Sequence, residues 1–232
     1  MALRQIVLDT ETTGLDPQQG HRIIEIAAVE LVDRIFTGKH FHYYFNPQRE
    51  IDPGAVAVHG ITSEFLADKS LIQHKIDEFI EFIKNAELII HNAPFDVGFL
   101  DSELQLVASH LGKLTDHCTV FDTLFYARQR HPGQKNNLDA LCKRYKVDNS
   151  QRNLHGALMD AELLAKVYLA MTGGQGSLFD GESGGAKSIQ IHNNTFKVSA
   201  DRKPLKIIRA NVEEEVLHNA RMDKLIANRE TK

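Results

Sequence analysis

The sequence is short of the features that mark a metal finger, a redox protein or a membrane protein. It has two cysteines in 232 residues, Cys118 and Cys142, with neither a CxxC nor a CxxH spacing. They read as reduced, buried thiols of a cytosolic protein, not as a disulfide or zinc framework. No apolar run approaches the roughly 20 residues of a membrane span, and the opening MALRQIVLDTETTGL puts acids where a signal peptide needs an apolar stretch. Positive charge is not in excess: 27 Lys and Arg against 31 Asp and Glu leave a net charge of −4. A protein that holds nucleic acid by bulk charge alone is excluded, whereas one that grips a few nucleotides around bound cations is not. GxGxxG and P-loop patterns are also missing, which removes two common kinds of nucleotide binder.

What is present is long enough for one full domain with an appendage. Composition is uniform to residue 172. Thr172 to Lys187 then reads TGGQGSLFDGESGGAK, with six glycines between Gly173 and Gly185. Ordering so much glycine costs too much backbone entropy for a packed core, so 173–187 reads as a flexible linker. Residues 188–232 hold a small apolar patch (Leu205, Ile207, Ile208) and a helix-like run from Val212 to Ala227. So short a segment rarely folds alone and reads as a docking tail, disordered until bound.

Before the linker, β-rich apolar stretches at 5–9, 23–32 and 40–45 suggest an antiparallel meander. Leu71, Ile72, Ile76, Phe79, Ile80 and Ile83 recur at helical spacing, predicting a helix over 70–84. A buried strand at 87–91 precedes a helix over 96–109, and helical patterns return at 122–130, 137–145 and 157–171. The fold class is α/β, a mixed sheet with helices packed on it.

Acids stand where a core is expected. Asp9 and Glu11 close an apolar strand, and residues two apart share a strand face, so the pair presents two carboxylates side by side. Like charges at that spacing repel unless a cation lies between them, and hard divalent ions favour such oxygen ligands. On the pair alone, a solvated strand end, where D-x-E pairs are common, is the better account. Thr12, Thr13 and Gly14 follow in a tight polar turn that a nucleotide could approach. Asp96 follows the 87–91 strand and opens a helix, where an acid is also favoured as a cap. Asp101 lies roughly 140° further round that helix and reads as solvated. Asp160 heads a helix whose Leu163, Leu164 and Val167 look like core, so it needs a partner, and a metal would serve. His155 precedes that helix on a loop, where it could take a proton from water near neutral pH. The other histidines read by default as surface residues.

The joint order is specific: D-x-E on the first strand, D after a later strand, then H-x4-D before the last helix. It resembles the DEDDh family of 3′→5′ exonucleases, and the resemblance extends to DTETTGL, RIIEIAAVE, the VHGIT stretch at 58–62 and HNAPFDVGFLD. It covers residue 2 to about 171. It implies a ribonuclease H-like mixed sheet flanked by helices, ending in a flexible C-terminal tail. It also implies hydrolysis with two divalent cations, Mg²⁺ or Mn²⁺, held by Asp9, Glu11, Asp96 and Asp160, with His155 as general base. Glu11, Thr12, His59 and Asp160 would contact the 3′-terminal nucleotide of single-stranded DNA. A glutamate that some relatives carry before that histidine is Gly54 here, so the sequence departs from the pattern in that loop.

Within the family the resemblance is to proofreading subunits of bacterial replicative polymerases. Gln175-Gly176-Ser177-Leu178-Phe179 is similar to the Q-x-x-L-F peptides that dock into sliding clamps, and 188–232 is similar to the segment that binds the polymerase alpha subunit. The expected organisation is an exonuclease domain over 1–172, a linker over 173–187 with clamp contacts from Gln175, Leu178 and Phe179, and a polymerase-binding tail over 188–232. Some relatives also bind a small accessory subunit on the outer face of this domain. The expected setting is the bacterial cytoplasm. The rival expectation is a free-standing DEDDh exonuclease trimming RNA ends or DNA repair intermediates, which has no need of QGSLF or a helical tail.

Overall fold

The computed structural model describes residues 3–152 and 154–173, with Glu214, His218, Asn219, Arg221 and Met222 beyond them. The chain divides into two units, Met1–Gly181 and Glu182–Lys232. Those five residues lie within the 212–227 run and are helical and exposed. Gln175, Leu178, Phe179 and the rest of the linker lie outside the described residues.

Three long strands form the meander: β1 (Arg4–Thr12), β2 (Ile23–Val32) and β3 (Ile35–Tyr44), each antiparallel to the next. Two short strands, β4 (Glu87–Ile90) and β5 (Thr119–Asp122), add parallel to β1, giving a five-stranded sheet in the order β3-β2-β1-β4-β5. Alternation along β1 divides the core in two. Ile6 and Leu8 pack with α3 (Ile76–Ile83) and α4 (Ala93–Val107), whereas Val7 joins α6 (Leu138–Tyr145) and α7 (Ala157–Thr172) on the opposite face. Between them, α1 (Pro53–His59) and α2 (Ser63–Leu66) cover the end of β2 through Ile24, Ile51, Ile61 and Leu66. The helix α5 (Thr123–Arg130) follows β5 directly and is capped by Asp122, whose side chain accepts the Leu124 and Phe125 amides. No helix of the described residues is long and apolar enough to cross a membrane. Both cysteines are free and buried.

The departures from expectation have local causes. Strand β3 begins at Ile35 rather than at 40, because Ile35–His40 is exposed and lacks the alternation that marks a half-buried strand. The 70–84 helix breaks at Lys75 into a 3₁₀ turn (Ile72–His74) and α3. Lys75 leaves helical geometry, and its ammonium bonds the Tyr43 hydroxyl and Glu78. Ile72, Ile76, Phe79, Ile80 and Ile83 still face the core. Asp96 does not cap α4: the helix starts three residues earlier, behind Asn92 in the left-handed region at φ 70°. Asp101 is half-buried, not solvated, and accepts the Leu114 amide at 2.8 Å. Strand β5 and helices α1 and α2 carry no strong periodic pattern of their own.

Arg22 and Glu103 tie β2 to α4. The guanidinium donates twice to the carboxylate, at 2.8 and 2.7 Å, and Glu103 also accepts the Ile23 amide. Glu103 is 1% exposed, so removing it leaves both donors short of an acceptor. Glu103→Ala is expected to lower the unfolding free energy by about 3 kcal/mol. Urea denaturation followed by circular dichroism measures this, and a loss within error would show the pair to be dispensable.

Candidate active site

The acids converge at the C-terminal end of β1. Asp9 and Glu11 share the strand face of Val7, the side on which α7 packs, and Asp160 is the fourth residue of α7 and 3% exposed. Thr10 points to the other side and donates to Asp96 at 2.7 Å, fixing a carboxylate that is 4% exposed in the first turn of α4. His155 stands just before α7, with Nδ1 3.4 Å from Asp160 Oδ2. Glu11, His155 and Asp160 each place one ligand atom within 4.8 Å of the others. All five expected residues, Asp9, Glu11, Asp96, His155 and Asp160, line one cleft of about 330 Å³.

Like charge dominates this cleft. Burial, then Asp96, Glu11 and Asp160, drive the Asp9 carboxyl well above its usual range. Glu11 is pushed up to about 8 by burial and by Glu25, which faces it directly across the β1–β2 ladder. Asp96 is pushed up to about 7 by burial, although the Thr10 hydrogen bond opposes the shift. Carboxylates that bind protons this readily also accept a divalent cation, and an all-oxygen set with one imidazole at its edge suits Mg²⁺ or Mn²⁺.

A second cavity of about 570 Å³ opens beside the first, bounded by Glu11, Thr12, Gly14, Gly54, Val58 and His59. The Thr12 hydroxyl donates to the Gly14 carbonyl at 2.6 Å and shapes the turn. Gly14 lies so close to the His21 ring that a Cβ there would stand 2.2 Å from it. His21 bonds Thr13 and faces Asp52, joining this turn to the start of α1. His59, 6% exposed, accepts the Ile61 amide at Nδ1, so its proton sits on Nε2, a buried atom near the Thr12 main chain that makes no well-aligned hydrogen bond among the described residues. Burial lowers its pKa and keeps the ring neutral. His21 and His59 are therefore interior groups, contrary to the default surface reading. The next residue, Gly60, is left-handed at φ 73°, and a Cβ on it would meet Leu154 of the His155 loop at 2.6 Å. His155 also donates its amide to Val58 at 3.2 Å, so this loop rests on α1.

Two participants escape sequence reasoning. Glu25 is 1% exposed, bonds His42 at 2.8 Å and accepts the Ala157 amide that opens α7. An acid inside the apolar run IIEIAAVELV was its only signal. Arg152 donates to both oxygens of Asp160 at 2.6 Å, to Asp139 at 2.7 Å and to His155 Nδ1 at 2.9 Å. Its charge is locked by these acids, and nothing in the sequence around it announces the contact.

The sheet order and the acids at the end of its first strand define a nuclease of the ribonuclease H-like class. The family model RNase_T, described as Exonuclease, matches residues 6–168. The chain is 51% identical over 210 residues to the DNA polymerase III subunit epsilon of Rickettsia felis, covering 88% of this chain and 92% of that one. It is 49% identical over 224 residues to the same subunit of Escherichia coli K12, covering 95% and 92%. Among solved structures, Exonuclease X in complex with 5′ overhanging duplex DNA superposes with a TM-score of 0.57 at 27% identity, covering 73% of this chain and 91% of that one. The chain belongs to the RNase_T exonuclease family, in its group of DNA polymerase III epsilon subunits, and is a 3′→5′ exonuclease.

Crowded acids leave a thermodynamic signature. In the fold, Glu11 keeps its proton to about 8, whereas the unfolded chain releases it near 4.5. Between those values the unfolded state holds fewer protons, so this group destabilises the cation-free fold increasingly as pH rises. Gln mimics the protonated acid. Glu11→Gln is therefore expected to raise the melting temperature in chelator more at pH 8 than at pH 5. Thermal unfolding at the two pH values measures this, and an equal or reversed effect would contradict the electrostatic reading.

Proposed function

We propose that the chain proofreads for a bacterial replicative DNA polymerase in the cytoplasm, removing mismatched 3′-terminal nucleotides as 5′-monophosphates. The observation that carries this is the meeting of Asp9, Glu11, Asp96 and Asp160 in one cleft with His155 at its mouth. Asp9, Glu11 and Asp160 would hold one divalent cation and Asp9 with Asp96 a second. Once bound, such a pair activates water and balances the charge that builds on the phosphate during in-line displacement. His155, on an exposed loop and next to Asp160, takes the proton from the attacking water. His59 offers its Nε2–H, and Thr12 its turn, to the sugar or phosphate of the terminal nucleotide, beside Glu11 and Asp160. The two adjoining cavities have room for a frayed end, and mismatched ends fray at lower cost.

The acidic chain holds few phosphates by itself, so tethering must keep it near primer ends. Gln175, Leu178 and Phe179 would dock on the sliding clamp, and residues 188–232 on the polymerase alpha subunit, with 1–172 as the exonuclease domain. A small accessory subunit would bind that domain away from the cleft. The likeness to polymerase subunits over 224 residues favours this reading over a free-standing exonuclease.

Hydrolysis of a 3′-labelled primer, paired or mismatched at its end, tests both halves in Mg²⁺. His155→Ala is expected to lose on the order of 10²–10⁴-fold in rate while still binding Mn²⁺. A chain cut after Thr172 is expected to keep its basal rate but to gain nothing from polymerase and clamp, which accelerate the full chain. Equal responses from both chains would overturn the tether and favour the free-standing enzyme. An unimpaired His155→Ala would remove the base.

A further inference from the structure

Arg152 is the one arginine or lysine among the described residues that line the cleft, and its contacts are unusually complete for a residue on a loop. Nε donates to Asp160 Oδ1 and Nη2 to Oδ2, both at 2.6 Å, so both oxygens of that carboxylate are engaged. The same Nη2 donates at 2.9 Å to His155 Nδ1 and so occupies that nitrogen's lone pair. Nη1 is anchored at 2.7 Å to Asp139, on α6, and Asn149 steadies that carboxylate at 3.0 Å. Only 6% of the Arg152 side chain is exposed, against 55% for Asp139. One end of this guanidinium is therefore tied to an exposed carboxylate at the edge of the cleft, and the other reaches across the two residues on which the proposed chemistry depends.

If Asp160 holds a cation, this ion pair cannot stay as it is when the site is loaded. The fork takes one lone pair on each oxygen of Asp160 and places a fixed positive charge beside the position a divalent cation would take, so the two compete for this carboxylate. A carboxylate cannot be bidentate to arginine and also present the same lone pairs to a metal ion. Among the described residues of the loop that carries Arg152, main-chain bonds run from Arg152 to Asn149 and from His155 to Val58, and opening the fork would leave Asp139 holding its far end.

We propose that Arg152 is an internal latch, a positioning residue that pairs with Asp160 and His155 until a divalent cation displaces it towards Asp139. This rests on the reading of Asp160 as a cation ligand. The latch neutralises part of the acid cluster while no cation is bound. It also makes cation binding and release of the His155 Nδ1 lone pair one coupled event, so the base is freed only when the site is loaded. Displaced but still tethered, the guanidinium stays at the rim of the cleft, where a substrate phosphate would pass.

Cation affinity tests this without reference to turnover. Mn²⁺ binding to the full 232-residue chain, followed by calorimetry and by the paramagnetic resonance of free Mn²⁺, is compared for wild type, Arg152→Gln and Arg152→Lys. Removing a competing charge-assisted fork is expected to tighten Mn²⁺ binding by roughly tenfold in Arg152→Gln. Arg152→Lys, which keeps the charge without the fork, should tighten it less. The rise in melting temperature on Mn²⁺ saturation should be larger in Arg152→Gln than in wild type, because the variant loses its latch only in the cation-free state. Unchanged or weaker Mn²⁺ binding in both variants would overturn the latch and leave Arg152 as scaffolding. Failure of wild type to bind Mn²⁺ would instead refute the cation site itself.

Discussion

Four carboxylates, Asp9, Glu11, Asp96 and Asp160, meet at one end of the sheet with the exposed Asp139 at their edge, and Glu25 faces Glu11 across the first ladder. Like charges directly opposed across strands destabilise a sheet, and here they do so inside the protein, where screening by water is weakest. Much of the surrounding structure can be understood as what it takes to keep them there. Thr10 spends its hydroxyl on Asp96, His42 and the Ala157 amide share Glu25, and Arg152 spans Asp160. Each partner is supplied from a different element, so the cluster exists only once sheet, α4 and α7 are assembled.

The sheet makes that assembly possible by simple alternation. Along β1, the residues facing α3 and α4 run Ile6, Leu8, Thr10, and those facing α6 and α7 run Val7, Asp9, Glu11. A one-residue slip would send the acids into the α4 core and the apolar side chains into the cleft, so the hydrophobic packing of both layers fixes the register of the acids. Burial of Ile6, Val7 and Leu8, all at 0% exposure, thus anchors the strand up to the point where the acids begin. Glu25 extends the same logic to α7. By accepting the first amide of that helix, it links the strand opposite Glu11 to the turn that delivers Asp160.

The legible parts of the molecule were those with a period or a motif. The meander, the strand over 87–90 and the helix ending at Thr172 all carried apolar patterns, and the ordered acids with the histidine before the last helix pointed to their chemistry. The illegible parts were those whose meaning is relational. Strand β5 is four residues long and is defined by its parallel partner, and exposed β3 residues belong to the sheet through main-chain bonds that leave no mark on composition. Asp96 looked like a cap because an acid near a helix start usually is one, but Pro94 and the left-handed Asn92 move the start back and turn the acid inward. Arg152 carries no mark in its local sequence, and Glu25 only that of an acid inside an apolar strand, since each derives its role from groups brought together by the fold.

The two histidines beside Glu11 show how burial divides labour between side chains of one kind. His59 is enclosed, its Nδ1 is committed to a backbone amide, and its low pKa keeps it neutral, so it can only donate through Nε2. That suits a group that recognises a substrate and must not exchange protons with it. His155 has a side chain 47% exposed and sits on a loop, with its contacts made to side chains that can let go. That suits a group that must collect a proton and hand it to solvent. The loop that carries His155 nevertheless rests on Val58 and Gly60, the neighbours of His59. The two histidines, different in burial and in partners, are thus held by one continuous piece of structure, α1 and the loop that rests on it.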